Sequence, residues 1–553
     1  MSSAYRPPAF AAPIDLDLSR NEGSPSITEI DLDPAELAAA TSRYPDTTRL
    51  RDVVAERHQV PPDRVLPTAG GDDALLRCFL ANRSRAAVAS TPSFEMIRRY
   101  AAQVGTPLIE VPWWSGDFPI DDFLDESAGG PGMAIVVSPN NPTGNVVARA
   151  DLRKLADAYR LVVLDAAYVE FADDDPTTEA LDLENVVVIR TLSKAFGLAG
   201  LRVGYLLGSS ERVRELAAFG SPYSMSGLSA SLAADVLAAG AVSGVDQTGA
   251  VASGREQLTA LFDDLRCRPL PSQANFVLAT DVDPSWVVPA AASLGVGLRR
   301  FGDRPDLARC VRVTVPADRD DLGRLLDTLR TVLAPEALLF DMDGVLVDVS
   351  ESYRAAIVAT AATFGVEVTD QDIDVAKARG NASDDWDLTR RLCAEAGVDS
   401  PLEEVRARFE RIYQGDPGEG GLKARERWLA DTERLVAWSR RIPLGIVTAR
   451  PRQDAIEALE RFGVAAHFST VVAREDAPAK PDPAPVRMAL ERLGVSRAWM
   501  VGDTVDDLNA ARSAGVAPIG VVPAGGDSSP LSAAARVLES VDEIEEVLDV
   551  TVR

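Results

Sequence analysis

The chain is short of the residues that build metal clusters and histidine-based active sites. Its 553 residues include four cysteines, Cys78, Cys267, Cys310 and Cys393, far apart and with no CxxC pair. That excludes a disulfide framework and a cysteine-rich zinc site, and it fits a reducing, cytoplasmic setting. His58 and His467 are the only histidines, so a histidine-rich metal site or a histidine-based triad has almost no material. Acidic residues outnumber basic ones 84 to 57, for a formal charge of −27. Such a chain repels phosphate backbones and anionic lipid, which argues against nucleic-acid and membrane partners. No apolar run is long enough to span a bilayer. The most apolar helical stretch, Leu228 to Val245, carries Asp235 and several small polar residues. The start, MSSAYRPPAFAAPIDLDL, lacks a basic segment followed by an apolar run, so no signal peptide is expected. Five lysines (Lys154, Lys194, Lys377, Lys423, Lys480) stand beside 52 arginines. Guanidinium neither deprotonates nor forms imines, so a retained lysine is a candidate for amine chemistry.

What remains is a globular composition, 46% hydrophobic and 25% charged, with enough length for several folding units. Apolar runs of strand length alternate with longer amphipathic stretches: AAVAS, AIVVSP, LVVLDAA and VVVIRT, then ALLFD, LGIVTA, WMVGD and IGVV. That rhythm predicts an α/β fold with largely parallel sheets. RDDLGRLLDTLRTVL has helical periodicity and a new strand is expected at Ala337, which places a domain boundary near Leu333 to Glu336. The segment from Asp348 to about Arg441 reads as mostly helical.

In the first half, chemically useful residues recur just past the predicted strands. Gly70-Gly71-Asp72 opens a helix, where backbone N–H groups can meet a phosphate. Asn141 lies in Ser-Pro-Asn-Asn-Pro-Thr-Gly. Asp165 ends a buried strand, where an unpaired charge is costly, so it should face a cation. Thr191, Ser193 and Lys194 follow the strand VVVI, and Arg202 follows shortly after.

SPNNPTG, TLSKAFGLAGLRVGY and the early RYPD (Arg43 to Asp46) together resemble the fold-type I pyridoxal-phosphate aminotransferases, most closely the histidinol-phosphate aminotransferase branch, over about residues 15 to 330. The resemblance implies a large parallel-sheet domain followed by a small α/β domain, with pyridoxal 5'-phosphate as cofactor. It implies that Lys194 binds the cofactor covalently and moves the substrate proton. Asp165 would pair with the pyridine nitrogen, and Asn141 and Tyr168 with the phenolic oxygen. Phe94 would stack on the ring. Gly71, Asp72, Thr191, Ser193 and Arg202 would hold the phosphate, and Tyr44 would reach the phosphate of a second subunit, which implies a homodimer. Arg312 would grip the substrate's acidic group, with Asn21 and Arg299 lining the same pocket. The family often has Asp-Glu-Ala-Tyr where this chain has Asp165-Ala166-Ala167-Tyr168.

The second half carries Asp341-Met342-Asp343-Gly344 after the strand ALLF, then Thr448, Lys480 and Asp503 to Asp507 in order. In extended chain, residues i and i+2 share a side, so Asp341 and Asp343 are expected on one face. Two carboxylates held together require a cation or a shared proton. This order resembles the haloacid dehalogenase superfamily of phosphatases, over about residues 337 to 553. By that resemblance Asp341 is the nucleophile, Asp343 the acid and then the base, and Thr448 and Lys480 neutralise the phosphoryl oxygens. Asp341, the Asp343 carbonyl and Asp503 would bind Mg2+, with Asp507 in support. From Asp341 to Thr448 is 107 residues, too long for a simple crossover, so a helical cap is expected at about 349–440. Gly380 to Trp386 lies within it as a candidate substrate contact.

The expected organisation is an N-terminal arm (1–30), a cofactor-binding large domain (31–220), a small domain (221–333) and a phosphatase domain (334–553). Two catalytic units on one chain suggest two steps on one metabolite: amino transfer, with a donor such as glutamate, to a phosphorylated keto compound, then removal of the phosphate. Decarboxylation of a phosphorylated amino acid is the alternative within the same cofactor chemistry. A third reading makes one half a non-catalytic regulatory module.

Overall fold

The computed structural model describes residues 7–23, 34–130, 132–239, 247–302, 304–380, 384–416, 420–522 and 527–551. Asn381 to Ser383, from the candidate substrate stretch, lie outside them. Contacts divide the chain into two compact units. One holds Met1–Pro8, Asp17–Val282 and Leu298–Arg324; the other holds Ala9–Leu16, Asp283–Gly297 and Leu325–Arg553.

The first unit is built on a seven-stranded sheet. Its strands are β1 (Val65–Thr68), β2 (Ala87–Thr91), β3 (Leu108–Pro112), β4 (Met133–Val137), β5 (Leu161–Asp165), β6 (Val186–Thr191) and β7 (Gly204–Leu207), in the order β1-β7-β6-β5-β4-β2-β3. Only β7 runs against its neighbours. Every residue of β4, β5, β6 and β7 is buried, as expected of strands covered on both faces. Valine and isoleucine dominate them because branched side chains suit a pleated, packed surface. The crossover helices bury Leu75, Phe79, Ile97 and Leu216 against Ile135, Val163 and Ile189 of the sheet.

The second unit contains six parallel strands: β8 (Ala337–Phe340), β9 (Leu444–Val447), β10 (Thr470–Val472), β11 (Ala498–Gly502), β12 (Ala517–Val521) and β13 (Val537–Leu538), in the order β10-β9-β8-β11-β12-β13. Leu339, at the sheet centre, is fully buried with Val447, Val486 and Met500. Burying such a side chain contributes about 1.5–3 kcal/mol. Between β8 and β9 run the helices Ala355–Thr363, Asp370–Arg379, Asp385–Glu395 and Leu402–Gln414. The insertion returns through a two-residue antiparallel pairing of Val347–Asp348 with Arg427–Trp428, too short to leave a periodic signal.

The helix Arg319–Leu333 ends, and β8 begins, where the sequence places them. The compact division nevertheless does not fall at one residue, because Asp283–Gly297 and Leu325–Leu333 pack with the second unit. Trp286 donates its indole N–H to the Val332 carbonyl at 3.0 Å, and Trp499 donates to the Thr331 carbonyl at 2.9 Å. The two indoles lie 4.6 Å apart, centroid to centroid.

Candidate active sites

In a parallel sheet the loops at the carboxyl ends of the strands converge, and ligands bind there. In the first unit these loops carry Asp72 after β1, Phe94 after β2, Asn141 after β4, Asp165 at the end of β5 and Lys194 after β6. Phe94, Asp72, Asn141, Tyr168, Lys194 and Arg312 line one cleft of about 420 Å³, together with Arg299 and Arg304. The Lys194 ammonium donates to the Arg20 carbonyl at 3.1 Å and lies 5.6 Å from the centre of the Tyr168 ring. Burial, with the Arg312 guanidinium adding to it, lowers Lys194 to about 8. Asp165 is buried and has no ion-pair partner among the described residues; its side chain accepts the Ala167 N–H at 3.2 Å. Burial pushes it up to about 7.

A polar web spans the floor of the cleft. The Tyr168 hydroxyl accepts from Asn21 at 3.1 Å and from Asn141 at 3.4 Å. Arg312 donates to Asn141 Oδ1 and to the Ser19 carbonyl, both at 2.7 Å. Arg299 pairs with Glu95 at 3.2 Å. At one end Thr191 donates to Ser193 at 2.9 Å, and Arg202 reaches Ser193 at 3.5 Å and Asp72 at 3.1 Å. These groups surround the start of the helix Gly70–Ala81, whose N-cap Ala69 provides no side-chain bond to the first turn. Gly70 has φ of +81°, and a Cβ there would fall 2.8 Å from Arg202 Nη2. Glycine thus serves both the left-handed turn and the approach of the guanidinium. Hydroxyls, an arginine and helix-start amides suit a phosphate, and an unpaired buried carboxylate beside a lysine suits a cationic ring. Tyr44 stands apart, 79% exposed and stacked on Tyr223 at 4.4 Å.

In the second unit Asp341 follows β8, Thr448 follows β9, Lys480 lies beyond β10 and Asp503 follows β11. One carboxylate oxygen each of Asp341, Asp503 and Asp507 lie within 4.8 Å of one another, a set of hard oxygen donors that fits a divalent cation such as Mg2+. Lys480 contacts Asp341 at 3.0 Å and Asp507 at 2.5 Å. Burial lowers the lysine's proton affinity, but these two carboxylates outweigh it and hold it above its usual range. Burial raises Asp341 well above the carboxylate range, with Asp507, Asp503 and Asp343 acting against the relief from Lys480. Burial likewise raises Asp503 to about 7. Gly344, at φ +76°, leaves no room for a Cβ, which would fall 2.1 Å from Asp503 Oδ2. Thr448 and Lys480 share a hollow of about 230 Å³ with Arg474 and Asp384.

Residues 17–329 match the family described as aminotransferase class I and II, and residues 335–515 match haloacid dehalogenase-like hydrolase. The chain belongs to the aminotransferase class I and II family. It carries a haloacid dehalogenase-like hydrolase domain on the same polypeptide, so it is an enzyme of transferase and hydrolase parts. The aminotransferase family accommodates pyridoxal 5'-phosphate, in accord with the cleft. The chain is 32% identical over 306 residues to the histidinol-phosphate aminotransferase of Pectobacterium carotovorum, covering 53% of this chain and 85% of that protein. It is 47% identical over 195 residues to the imidazoleglycerol-phosphate dehydratase of Phytophthora nicotianae. That match covers 34% of this chain, which spans less than half, 43%, of the dehydratase. The crystal structure of histidinol-phosphate aminotransferase from Sinorhizobium meliloti in complex with pyridoxal 5'-phosphate is 25% identical, with a TM-score of 0.49, covering 58% of this chain and 91% of that one.

In the aminotransferase domain the structure brings Asp72, Phe94, Asn141, Tyr168, Lys194, Arg299 and Arg312 to one cleft and Thr191, Ser193 and Arg202 together at one end of it, while the RYPD residues Arg43 to Asp46 lie apart. In the hydrolase domain the two aspartates stay within electrostatic reach of one another while their side chains find different partners. β8 ends at Phe340, so strand alternation no longer applies at Asp341 to Asp343. Asp341 turns to Lys480, while the Asp343 side chain pairs with Arg450, outside the carboxylate set. Arg450 escaped the sequence reading, although it lies only two residues past Thr448. Lys377 escaped too, beyond its being one of five lysines. It lines a cleft of about 700 Å³ with Gly344 and Asp503. Burial opposes its charge, but Asp385 and Asp503 more than offset that and raise it. Of the candidate stretch in the insertion, Asp384 pairs with Arg474, whose guanidinium lies 3.9 Å from the centre of the Trp386 ring.

A pH dependence follows for Lys194. An amine must be neutral to attack an aldehyde, and burial lowers Lys194 to about 8, below an ordinary lysine's range. The rate at which cofactor-free protein captures added pyridoxal 5'-phosphate should therefore rise with pH and level off above about 8. Stopped-flow absorbance across pH 6 to 10 checks this; a rate still rising tenfold per pH unit at pH 10 contradicts it.

Proposed function

We propose that this chain is a bifunctional enzyme. Its aminotransferase domain transfers an amino group to a phosphorylated keto compound resembling the precursor of histidinol phosphate, and its hydrolase domain then removes the phosphate. The observation that carries this reading is that each domain brings its own motif residues together at its strand ends. The relatives named histidinol-phosphate aminotransferase support the substrate class.

In the first site Lys194 would hold pyridoxal 5'-phosphate, Asp165 would face its ring nitrogen, and Thr191, Ser193, Arg202 and the start of the helix Gly70–Ala81 would hold its phosphate. The cofactor supplies an electron sink for the substrate carbanion. Lys194 Nζ takes the proton from the substrate carbon and returns it. Asp165 would face the ring nitrogen and favour its protonated form. Arg312 orients the anionic group of the substrate through its planar fork. Phe94 closes one face of the cleft and excludes water. Tyr44, exposed beside the exposed Tyr223, is placed to meet a second copy of the chain, which supports a homodimer.

In the second site Asp341, Asp503 and Asp507, with the Asp343 carbonyl, would hold Mg2+, which draws charge from the phosphoryl oxygens. An Asp341 oxygen attacks phosphorus, and the bond from phosphorus to the ester oxygen breaks. That oxygen takes the proton from Asp343. A water molecule then attacks the aspartyl phosphate and gives its proton to Asp343, and Asp341 is released with orthophosphate. Thr448 and Lys480 neutralise the phosphoryl oxygens meanwhile. We place the start of this domain at residue 334.

The test is phosphate release from imidazoleacetol phosphate with and without glutamate. Release should depend on glutamate, with an amino alcohol as product. Equal release without glutamate, or carbon dioxide evolved from a phosphorylated amino acid, contradicts the reading. Chelation of divalent metal should lower phosphate release by about 10²-fold or more while leaving amino transfer unchanged, and added Mg2+ should restore it. A loss of both activities on chelation would contradict the placement of the metal in one domain.

A further inference from the structure

Arg450 follows β9 and is only 2% exposed. Its Nε donates to Asp343 Oδ1 at 2.7 Å, and its Nη2 pairs with the same oxygen. On its other side the guanidinium meets Glu426, Nη2 to Oε1 at 3.1 Å and Nη1 to Oε2 at 3.3 Å. Glu426 is itself buried, accepts the Tyr413 hydroxyl at 2.9 Å and pairs with Arg461. The Tyr353 ring lies 4.9 Å from the guanidinium carbon. Burying a guanidinium and a carboxylate, with a second carboxylate half-buried beside them, is expensive unless the charges are paired and fixed. Here the fixed object is the carboxylate assigned the proton transfers.

We propose that Arg450 is a positioning residue for Asp343, and that Glu426, Tyr413 and Tyr353 of the helical insertion hold Arg450 in that role. This rests on the reading of Asp343 as the acid and base. Both guanidinium contacts fall on Oδ1, so Oδ2 is the oxygen that carries the proton to the leaving group. The carboxyl group cannot rotate without giving up two charge-assisted contacts. The proton moves from Asp343 Oδ2 to the ester oxygen as the bond to phosphorus breaks, and Arg450 exchanges no proton.

A misplaced acid matters most when the leaving group is a strong base. Phenyl phosphate and p-nitrophenyl phosphate have nearly the same shape, but phenoxide needs a proton far more than p-nitrophenoxide. The experiment compares kcat/KM for the two in the full chain with Mg2+. That quantity ends at release of the leaving group, so the later hydrolysis of the aspartyl phosphate does not enter. For Arg450→Met, phenyl phosphate should lose about 100-fold and p-nitrophenyl phosphate less than about 5-fold, the difference lying at the lower end of general-acid effects. Arg450→Lys keeps the charge without the fork and should recover part of the loss. Glu426→Gln, with Arg450 intact, should shift both substrates in the same sense by less.

Arg450→Met leaves Glu426 without its buried partner, so Arg450→Met/Glu426→Gln, which removes both charges, serves as the second variant. Equal losses on both substrates in either variant, or in Arg450→Lys, would overturn the proposal and leave Arg450 a structural residue. Asp343→Asn is the control for the reading beneath it. If Asp343→Asn also loses equally on both substrates, the acid assignment itself falls, a failure distinct from that of Arg450.

Discussion

Asp341→Asn should reduce phosphate release by about 10⁴-fold or more while amino transfer keeps its rate, since losing a covalent nucleophile acts on this scale. An amide has no charge to attack phosphorus and cannot form the acyl phosphate. The variant should fold, because it removes one negative charge from a buried set that already holds Asp503 and Asp507. Lys480 keeps its contact with Asp507 at 2.5 Å. Phosphate release and glutamate-dependent amino transfer, measured on the same preparation, decide the matter. Loss of both would show that the domains do not act independently.

Lys194→Ala should do the converse, lowering amino transfer by about 10⁴-fold or more and sparing phosphatase activity. Among the described residues lining the cleft, this amine is the only nitrogen that is both nucleophilic and able to lose its proton near neutral pH. Arg299, Arg304 and Arg312 around it cannot substitute. Lys194→Arg should fail as completely, because it restores charge but not an amine. Cofactor absorbance should differ as well, since in both variants the aldehyde stays free. Substantial amino transfer in Lys194→Arg would remove the lysine from the chemistry.

Much of both sites was legible because parallel α/β folds place their chemistry just past strand ends, and those ends carry recognisable punctuation. The scarcity of lysine made each of the five a candidate, and the motifs around Lys194 and Lys480 singled those two out before any geometry. Asp165 was expected to face a cation. Burial lifts it to about 7 instead, and the cleft beside it is where a cationic ring would lie. Arg450 was not legible because its partners Glu426 and Tyr413 lie 24 and 37 residues away in the insertion, and only folding joins them. The partners of the two aspartates, Lys480 for Asp341 and Arg450 for Asp343, were not legible either, because β8 ends at Phe340, before both residues, and periodicity does not name partners. The packing of Asp283–Gly297 with the second unit depends on Trp286 meeting Trp499, a contact across more than two hundred residues that no periodicity encodes.

The most direct measurement is borohydride reduction of the chain reconstituted with pyridoxal 5'-phosphate, followed by peptide mapping by mass spectrometry. A single pyridoxyl-phosphate adduct on the peptide containing Lys194, absent after Lys194→Ala, is the expected result. An adduct on Lys154, Lys377, Lys423 or Lys480 in its place, or none at all, would contradict the assignment on which the first site rests.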